Sequence, residues 1–354
     1  MKAGTVGYAA PATHAELAGV MHPLVREWFF SRFVDFSPAQ LAGVMQIHGR
    51  KNILISAPTG GTKTLTAFLA ILNYLVGLAV RKELEDKIYA VYISPLRALS
   101  NDIFVNLEQP LKEILGVAKK QGVEMQEIRV GLRTGDTTAA QRGKMAPHIL
   151  VTTPESLAII ITTPKFVDCA RAIEFVIVDE IHALANKRGV HLTLTLERLH
   201  ELSIIEPVRV GLSATISPLE EVAGFLVGVG RDCVIAEVKL NKKLDIDLLA
   251  SGDNLIGGDA PAQQRKMYDL LDELIQSHKT TLIFTNTRNA TEKIVHYLDL
   301  HFPGKYAGLI GAHHSSMSRQ KRFEIEDRLR RGELRVVVTS TSLELGIDIG
   351  SIDL

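Results

Sequence analysis

Two short stretches carry the residue types that handle a nucleoside triphosphate: APTGGTKT, residues 57–64, and FVIVDEIHAL, residues 175–184. In the first, a turn of Thr59, Gly60, Gly61 and Thr62 presents backbone N–H groups and is followed by a helix. Such amides and the positive end of the helix cradle phosphate oxygens. Lys63 then reaches the β- and γ-phosphates, and the Thr64 hydroxyl sits on Mg²⁺. In the second stretch an apolar run ends in two acids. Asp179 at a strand end is expected to hold Mg²⁺ through water, and Glu180 is placed to orient or deprotonate the attacking water. A strand that ends in acids is common, and so is a turn followed by Lys-Thr. Both in one sheet, in this order, carry far more weight than either alone.

Thr62 departs from the expected loop, which ends Gly-Lys-Thr. Glycine lacks a Cβ and adapts freely to the loop backbone; a threonine adds bulk and β-branching where phosphate and backbone meet. A disabled loop is therefore the competing expectation. A third stretch, GLSATI at 211–216, places Ser213 and Thr215 where their hydroxyls can bond to His182. The ordinary alternative there is a Ser/Thr turn.

These residues need a sheet to position them. NILIS (52–56), YAVYIS (89–94), HILVTT (148–153), FVIVDE (175–180) and VRVGLSAT (208–215) are short β-branched runs, apolar on both faces. Helical patterns lie between them, at 97–120 and 189–202 among others. Buried strands alternating with helices predict a parallel sheet covered on both sides. A second set follows: TTLIFT (280–285), YAGLIGAH (306–313) and RVVVTST (335–341), with helices at 290–302 and 318–331. Residues 229–262, rich in Asp, Gly, Pro and Lys, are expected to connect the two. The expectation is α/β architecture in two domains, 1–228 and 229–354, with a cleft between them that suits a ligand.

The bulk properties agree. A chain of 354 residues is too long for one ordinary core. Its 46% hydrophobic and 23% charged residues are a globular composition. With 40 basic and 40 acidic side chains it does not coat nucleic acid by bulk charge, although a local basic groove is compatible with that balance. Cys169 and Cys233 match no metal spacing and are expected as buried, reduced thiols of a cytoplasmic protein. No signal peptide is expected at the N-terminus. The uncharged run TLTAFLAILNYLVGLAV (64–80) approaches the ~20 residues of a membrane span. It starts at the end of the phosphate loop and contains Asn73, which fits a buried helix better.

In order, APTGGTKT, YISPLRALSND, RTGDT, VTTPESL, VDEIH, LSAT, FTNTR, AHHSS and TSLELGIDIG resemble the motif series of a superfamily 2 helicase. MHPLVREWF, PLRALSNDI and TSTSLELGIDIGSIDL narrow the resemblance to the large helicase-related (Lhr) family, and it extends from about residue 20 to 354. DEIH in place of DEAD separates the chain from DEAD-box RNA chaperones. The resemblance implies two RecA-like domains in tandem, ATP and Mg²⁺ as cofactors, and a helicase or translocase that couples hydrolysis to strand separation, with a role in DNA repair. It implies that Gln40 in FSPAQ reads adenine, since an amide can pair with N6 and N7 together, and that Asp348 faces the nucleotide. It assigns nucleic-acid contacts to Arg97, Thr134, Gly135, Thr153, Thr285, Arg288 and Thr339. Hydroxyls, glycines and arginines at strand ends suit phosphate oxygens, which carry no sequence information. The implied partner is single-stranded or partly duplex nucleic acid, DNA ahead of RNA. His313 and His314 are adjacent on a strand and point to opposite faces, so a shared metal is not expected.

The family pattern continues beyond the SIDL with which this sequence ends, through an arginine-rich motif and further domains. The second RecA-like domain is therefore expected to be incomplete, with the remaining helicase segments supplied in cis or trans. Thr62 and the missing arginines together motivate the alternative: a non-catalytic nucleic-acid-binding module with a degenerate phosphate loop.

Overall fold

The computed structural model describes residues 4–58, 62–95, 97–133, 146–184, 187–239, 246–250, 260–314, 316–340 and 352. They form two compact units, Met1–Asn241 and Lys242–Leu354. The first is built on an eight-stranded parallel sheet, and every pairing in it is parallel. Its strands are β1 (Val6–Tyr8), β2 (Ile53–Ser56), β3 (Ala90–Ile93), β4 (Val130–Arg133), β5 (Ile149–Thr152), β6 (Phe175–Val178), β7 (Val208–Ser213) and β8 (Cys233–Glu237). Their order across the sheet is β1-β8-β2-β7-β6-β3-β5-β4.

The apolar runs of β2, β3, β5, β6 and β7 are buried at every position. Successive residues feed opposite layers, as the two-residue period of a strand requires. Ile53, Ile55, Phe175 and Ile177 enter one core, with α1 (His14–Val20), α2 (Pro23–Arg32), α3 (Pro38–His48), α4 (Lys63–Val80) and α5 (Arg97–Lys120). Leu54, Val176 and Val178 enter the other, with α6 (Pro154–Ile160), α7 (Pro164–Ala170), α8 (Lys187–Leu202) and α9 (Leu219–Val227).

Helix α4 is the one helix among the described residues long and apolar enough to cross a membrane, with a mean hydropathy of 1.6. It is 72% buried against the sheet and α3. Asn73 at its middle is fully used: its carbonyl accepts from the His22 N–H (2.6 Å) and its amide donates to the Val20 carbonyl (3.1 Å).

Two differences from the sequence expectation concern the segment 229–262. It contains β8, which inserts between β1 and β2, and the start of helix α10 (Ala260–Ser277). The boundary between units therefore lies after Asn241 rather than after 228. The run CVIAE is apolar enough for a strand, but flanking Gly, Asp and Lys hide its period. Cys169 is only half-buried, whereas Cys233 is buried and its thiol is pushed up to about 12 by that burial.

In the second unit a three-stranded parallel sheet runs β10 (Ile310–His313), β11 (Val336–Thr339), β9 (Thr281–Phe284) among the described residues. Val336 and Val338 pack with Ile275 of α10 and Leu298 of α11 (Arg288–His301). Val337 faces the other way, onto Leu329 of α12 (Arg319–Arg330).

Candidate active site

Parallel strands end on one edge, so the sheet itself gathers the groups that follow them. Ser56 of β2 lies opposite Ser213 of β7, and Val178 of β6 lies opposite both Ile93 of β3 and Gly211 of β7. The turn after β2, the acids after β6 and the hydroxyls after β7 therefore share a border. Helix α4 begins there, and its first residue, Lys63, is buried with its ammonium donating to the Ala57 carbonyl at 2.9 Å.

Asp179 and Glu180 are 3% and 4% exposed, which is rare for carboxylates. Burial, and then the neighbouring Glu180, push the Asp179 carboxyl up to about 6. Burial also raises Glu180 and lowers Lys63, each opposed by the charge of the other. The Asp179 carboxylate accepts from the Glu180 N–H at 2.8 Å and from the Tyr92 phenol. The Thr64 side chain lies beside that phenol. Thr64 and Asp179, the two residues expected at Mg²⁺, thus both neighbour the Tyr92 phenol. A hydroxyl and a carboxylate are hard oxygen donors, and a Mg²⁺ site built on one or two protein oxygens leaves its other positions to water and phosphate. The donor set fits that ion.

Tyr92 is the residue that sequence reasoning missed. It is fully buried on β3, stacks on Phe68 of α4 (5.2 Å between ring centres) and lies beside the strand that ends in Asp179. A polar handle at an inward position of an otherwise apolar strand was the available signal, because a buried tyrosine hydroxyl usually finds a partner.

His182 follows Glu180 in a short 3₁₀ turn, Ile181–Leu184. Its Nδ1 lies 3.3 Å from a Glu180 carboxylate oxygen and 3.4 Å from the Ser213 hydroxyl. The backbone N–H of Ala214 (3.3 Å) is the other group on that nitrogen, where Thr215 was expected. Strand β7 ends at Ser213, and Ala214 and Thr215 lie in the bend that follows it.

Thr62 has φ 56° and ψ 19°, in the left-handed region. That region costs an L-residue roughly 1–2 kcal/mol and is unusual for a β-branched one. The concern raised by the sequence thus has a physical basis: this backbone suits glycine. Glu180 (φ 47°) shares the strain, and strained backbone of this kind clusters at functional sites. Gln40 is buried at the start of α3, where it forms a capping box with Ser37: the Ser37 N–H donates to the Gln40 side-chain Oε1 (2.8 Å), and the Gln40 backbone N–H donates to the Ser37 hydroxyl (3.3 Å).

Thr59, Gly60, Gly61, Thr134, Gly135 and Asp348 lie outside the described residues. Arg97 opens α5. Thr153 caps α6 and bonds to the Ser156 hydroxyl at 3.0 Å. Thr285 and Thr339 lie together at the edge of the second sheet. The Thr285 N–H donates to the Thr339 carbonyl (2.8 Å), and the Thr339 hydroxyl, fully buried, donates to the His313 carbonyl (3.0 Å). Arg288 is exposed and donates to the Ser316 hydroxyl (2.5 Å). His313 and His314 bond to different carboxylates, Glu326 of α12 (3.0 Å) and Glu292 of α11 (2.6 Å). Among the described residues no cluster of metal-ligating side chains is found.

Residues 37–222 match the family model of the DEAD/DEAH box helicases, and residues 264–354 match that of the helicase conserved C-terminal domain. The ATP-dependent helicase Lhr-Core of Methanocaldococcus jannaschii is 52% identical over 344 residues, which cover 96% of this chain and 40% of the relative. The Lhr helicase/uracil glycosylase of Escherichia coli is 34% identical over 394 residues, covering 97% of this chain and 26% of the relative. The structure of Mycobacterium smegmatis helicase Lhr bound to ssDNA and AMP-PNP is similar with a TM-score of 0.80 at 36% identity, over 95% of this chain and 44% of that one. The chain thus spans about 40% of the length of the curated Lhr-Core relatives it matches.

Proposed function

The chain belongs to the DEAD/DEAH box helicases, in their Lhr branch, and from that premise we propose that it is the ATP-binding core of a nucleic-acid helicase or translocase. The observation that carries the reading is the buried set of Lys63, Asp179 and Glu180 on one sheet edge, with the Tyr92 phenol donating to Asp179. A fold with no use for these charges would not bury them, since unpaired burial of ionised groups is costly.

In this reading Lys63 binds the β- and γ-phosphates, and Thr64 and Asp179 hold Mg²⁺, which when bound neutralises phosphate charge. Glu180 takes the proton of the attacking water. Burial raises its carboxyl toward the working pH, where a general base is most effective. His182 touches Glu180 and Ser213 together, so it can pass a change at the acid to the end of β7. Gln40 reads the adenine, and Asp348 is assigned to the nucleotide by the resemblance. Arg97, Thr134, Gly135, Thr153, Thr285, Arg288 and Thr339 grip one strand of nucleic acid, DNA ahead of RNA, through its phosphates. Support for DNA comes from the ssDNA held by the M. smegmatis protein. The hydroxyls of Thr153, Thr285 and Thr339 are engaged within the fold, so these three residues contribute through backbone N–H groups or by holding the edge in shape.

Two measurements test the proposal. Calorimetric titration with Mg·ATP is expected to give a micromolar Kd, about −8 kcal/mol. Steady-state hydrolysis is expected to rise when single-stranded DNA is added. Binding without any hydrolysis, with or without DNA, favours the second reading, a nucleic-acid-binding module without turnover, which the left-handed Thr62 supports. Absence of Mg·ATP binding overturns the ATPase reading.

A further inference from the structure

Thr62 replaces a glycine with a side chain, and the structure shows where that side chain goes. It does not cap its own helix. Its hydroxyl meets the Ser37 hydroxyl at 2.6 Å, across 25 residues of sequence. Ser37 is the N-cap of α3, and its oxygen already accepts the Gln40 N–H. A hydroxyl has one proton and two lone pairs, so Ser37 can serve Gln40 and Thr62 at once. On the other side, the Thr62 carbonyl accepts both the N–H and the hydroxyl of Thr66, each at 2.9 Å. The result is a hydrogen-bonded chain from Gln40 through Ser37 and Thr62 to Thr66. It spans the N-termini of α3 and α4.

Gly43 on α3 leaves room for this close approach. A Cβ there would sit 2.8 Å from the Thr66 methyl and 3.0 Å from Ile55. A glycine at position 62 would relieve the left-handed backbone but could make no bond to Ser37. The hydroxyl is what threonine adds in exchange for the strain.

We infer that the Ser37–Thr62 hydroxyl pair is a clasp that fixes the base-facing end of α3 to the phosphate-facing end of α4, making both residues positioning residues for nucleotide selection. Thr62 is on this account a working substitution and not an eroded glycine. The inference rests on the ATP-binding reading above. A clasped site holds base and phosphates in one register. An unclasped site still binds phosphates but discriminates less well between bases.

The test compares Thr62→Val, Thr62→Ser, Ser37→Ala and the Thr62→Val/Ser37→Ala pair. Each is titrated with Mg·ATP, Mg·GTP and inorganic tripolyphosphate, and each is checked by thermal unfolding. Thr62→Val keeps the shape and loses the hydroxyl, so ATP affinity should fall roughly 3- to 10-fold, the scale of one hydrogen bond. Tripolyphosphate, which has no base, should change by less than twofold, and the preference for ATP over GTP should shrink. Thr62→Ser should restore wild-type selectivity. In the Thr62→Val background Ser37→Ala should cost ATP binding less than it does alone, because neighbours in one network are not additive. If Thr62→Val does not fold, Thr62→Gly carries the test, with the same loss of selectivity expected. Unchanged selectivity in the hydroxyl-free variants, equal losses for ATP and tripolyphosphate, or additive effects overturn the clasp while leaving the ATP-binding reading intact. Wild-type chain that binds neither ATP nor tripolyphosphate overturns the ATP-binding reading and the clasp with it.

Discussion

The two units present the same kind of edge, where parallel strands end and helices begin, and equip it in opposite ways. In the first unit the edge holds Lys63, Asp179 and Glu180, buried and charged, beside two residues with left-handed backbone, Thr62 and Glu180. In the second unit the described residues of the edge form a hydrogen-bonded network. Thr285 bonds to Thr291 (2.7 Å) and to the Thr339 backbone, Thr339 bonds to His313, and each histidine has its own glutamate. All four described non-glycine residues with positive φ belong to the first unit. Chemistry requires charge held away from water, and the first edge accepts the cost in stability. On the proposed function, gripping a polymer requires a fixed shape and an exposed cation, and the polar groups of the second edge hold one another in such a shape.

The comparison breaks most visibly at Glu180. Glu180→Gln keeps the size of the side chain and removes the base, so steady-state ATP turnover should fall by roughly 10² to 10⁴. Calorimetry should find Mg·ATP affinity within a few-fold of wild type. Turnover that survives the change would move the chemistry away from this edge.

Asp179 and Tyr92 sharpen the comparison through stability, with opposite signs. Asp179 holds its proton up to about 6, against an ordinary value near 4. Between those values the folded chain binds more protons than the unfolded one. This group's contribution to stability is therefore fully present below about pH 4 and is lost as pH rises through about 6. At roughly 1.4 kcal/mol per pKa unit, the buried charge costs on the order of 2–3 kcal/mol at neutral pH. Asp179→Asn should thus raise the urea midpoint at pH 7.5 and lose part of that advantage at pH 5, while abolishing turnover. Tyr92→Phe removes a hydrogen bond from the same carboxylate and should lower stability at pH 7.5 by about 1–3 kcal/mol. A destabilised Asp179→Asn at pH 7.5 would mean that the charge is compensated and the edge is not strained by it.

The contrast also explains what was legible in the sequence. Lys63, Thr64, Asp179 and Glu180 announce themselves because the loop and the strand-end acids are contiguous in the chain, and the parallel sheet follows from fully apolar runs such as ILIS and FVIV. The partners of these residues do not announce themselves. Tyr92 meets Asp179 across 87 residues and Ser37 meets Thr62 across 25. Those pairings depend on strand order and helix packing, which no local period encodes. Strand β8 was hidden for a related reason: five residues among loop formers become a strand only because β1 and β2 leave a slot for them. At Thr62 local sequence did contain the answer in part, since a threonine where the loop pattern has glycine marked the position at which the structure shows a left-handed backbone. The hydroxyl that compensates lies on another helix.

The smallest expected effect is at Arg288. It is the first residue of α11, capped by the Thr287 hydroxyl, which accepts from the Ala290 N–H at 3.1 Å. A cation at a helix N-terminus faces the positive end of the dipole, which disfavours it by a few tenths of a kcal/mol to about 1 kcal/mol. Helix stability therefore does not account for an arginine there, and its exposed guanidinium, steadied by Ser316, is free to meet a phosphate. Arg288→Ala should leave the thermal midpoint unchanged or slightly higher. Affinity for single-stranded DNA should fall a few-fold, and the slope of log affinity against log salt should drop by about one. Nucleotide binding should not change. Fluorescence anisotropy across a salt series separates the readings: a merely structural arginine would lower the midpoint and leave the slope alone, whereas a gripping arginine lowers the slope and spares the fold.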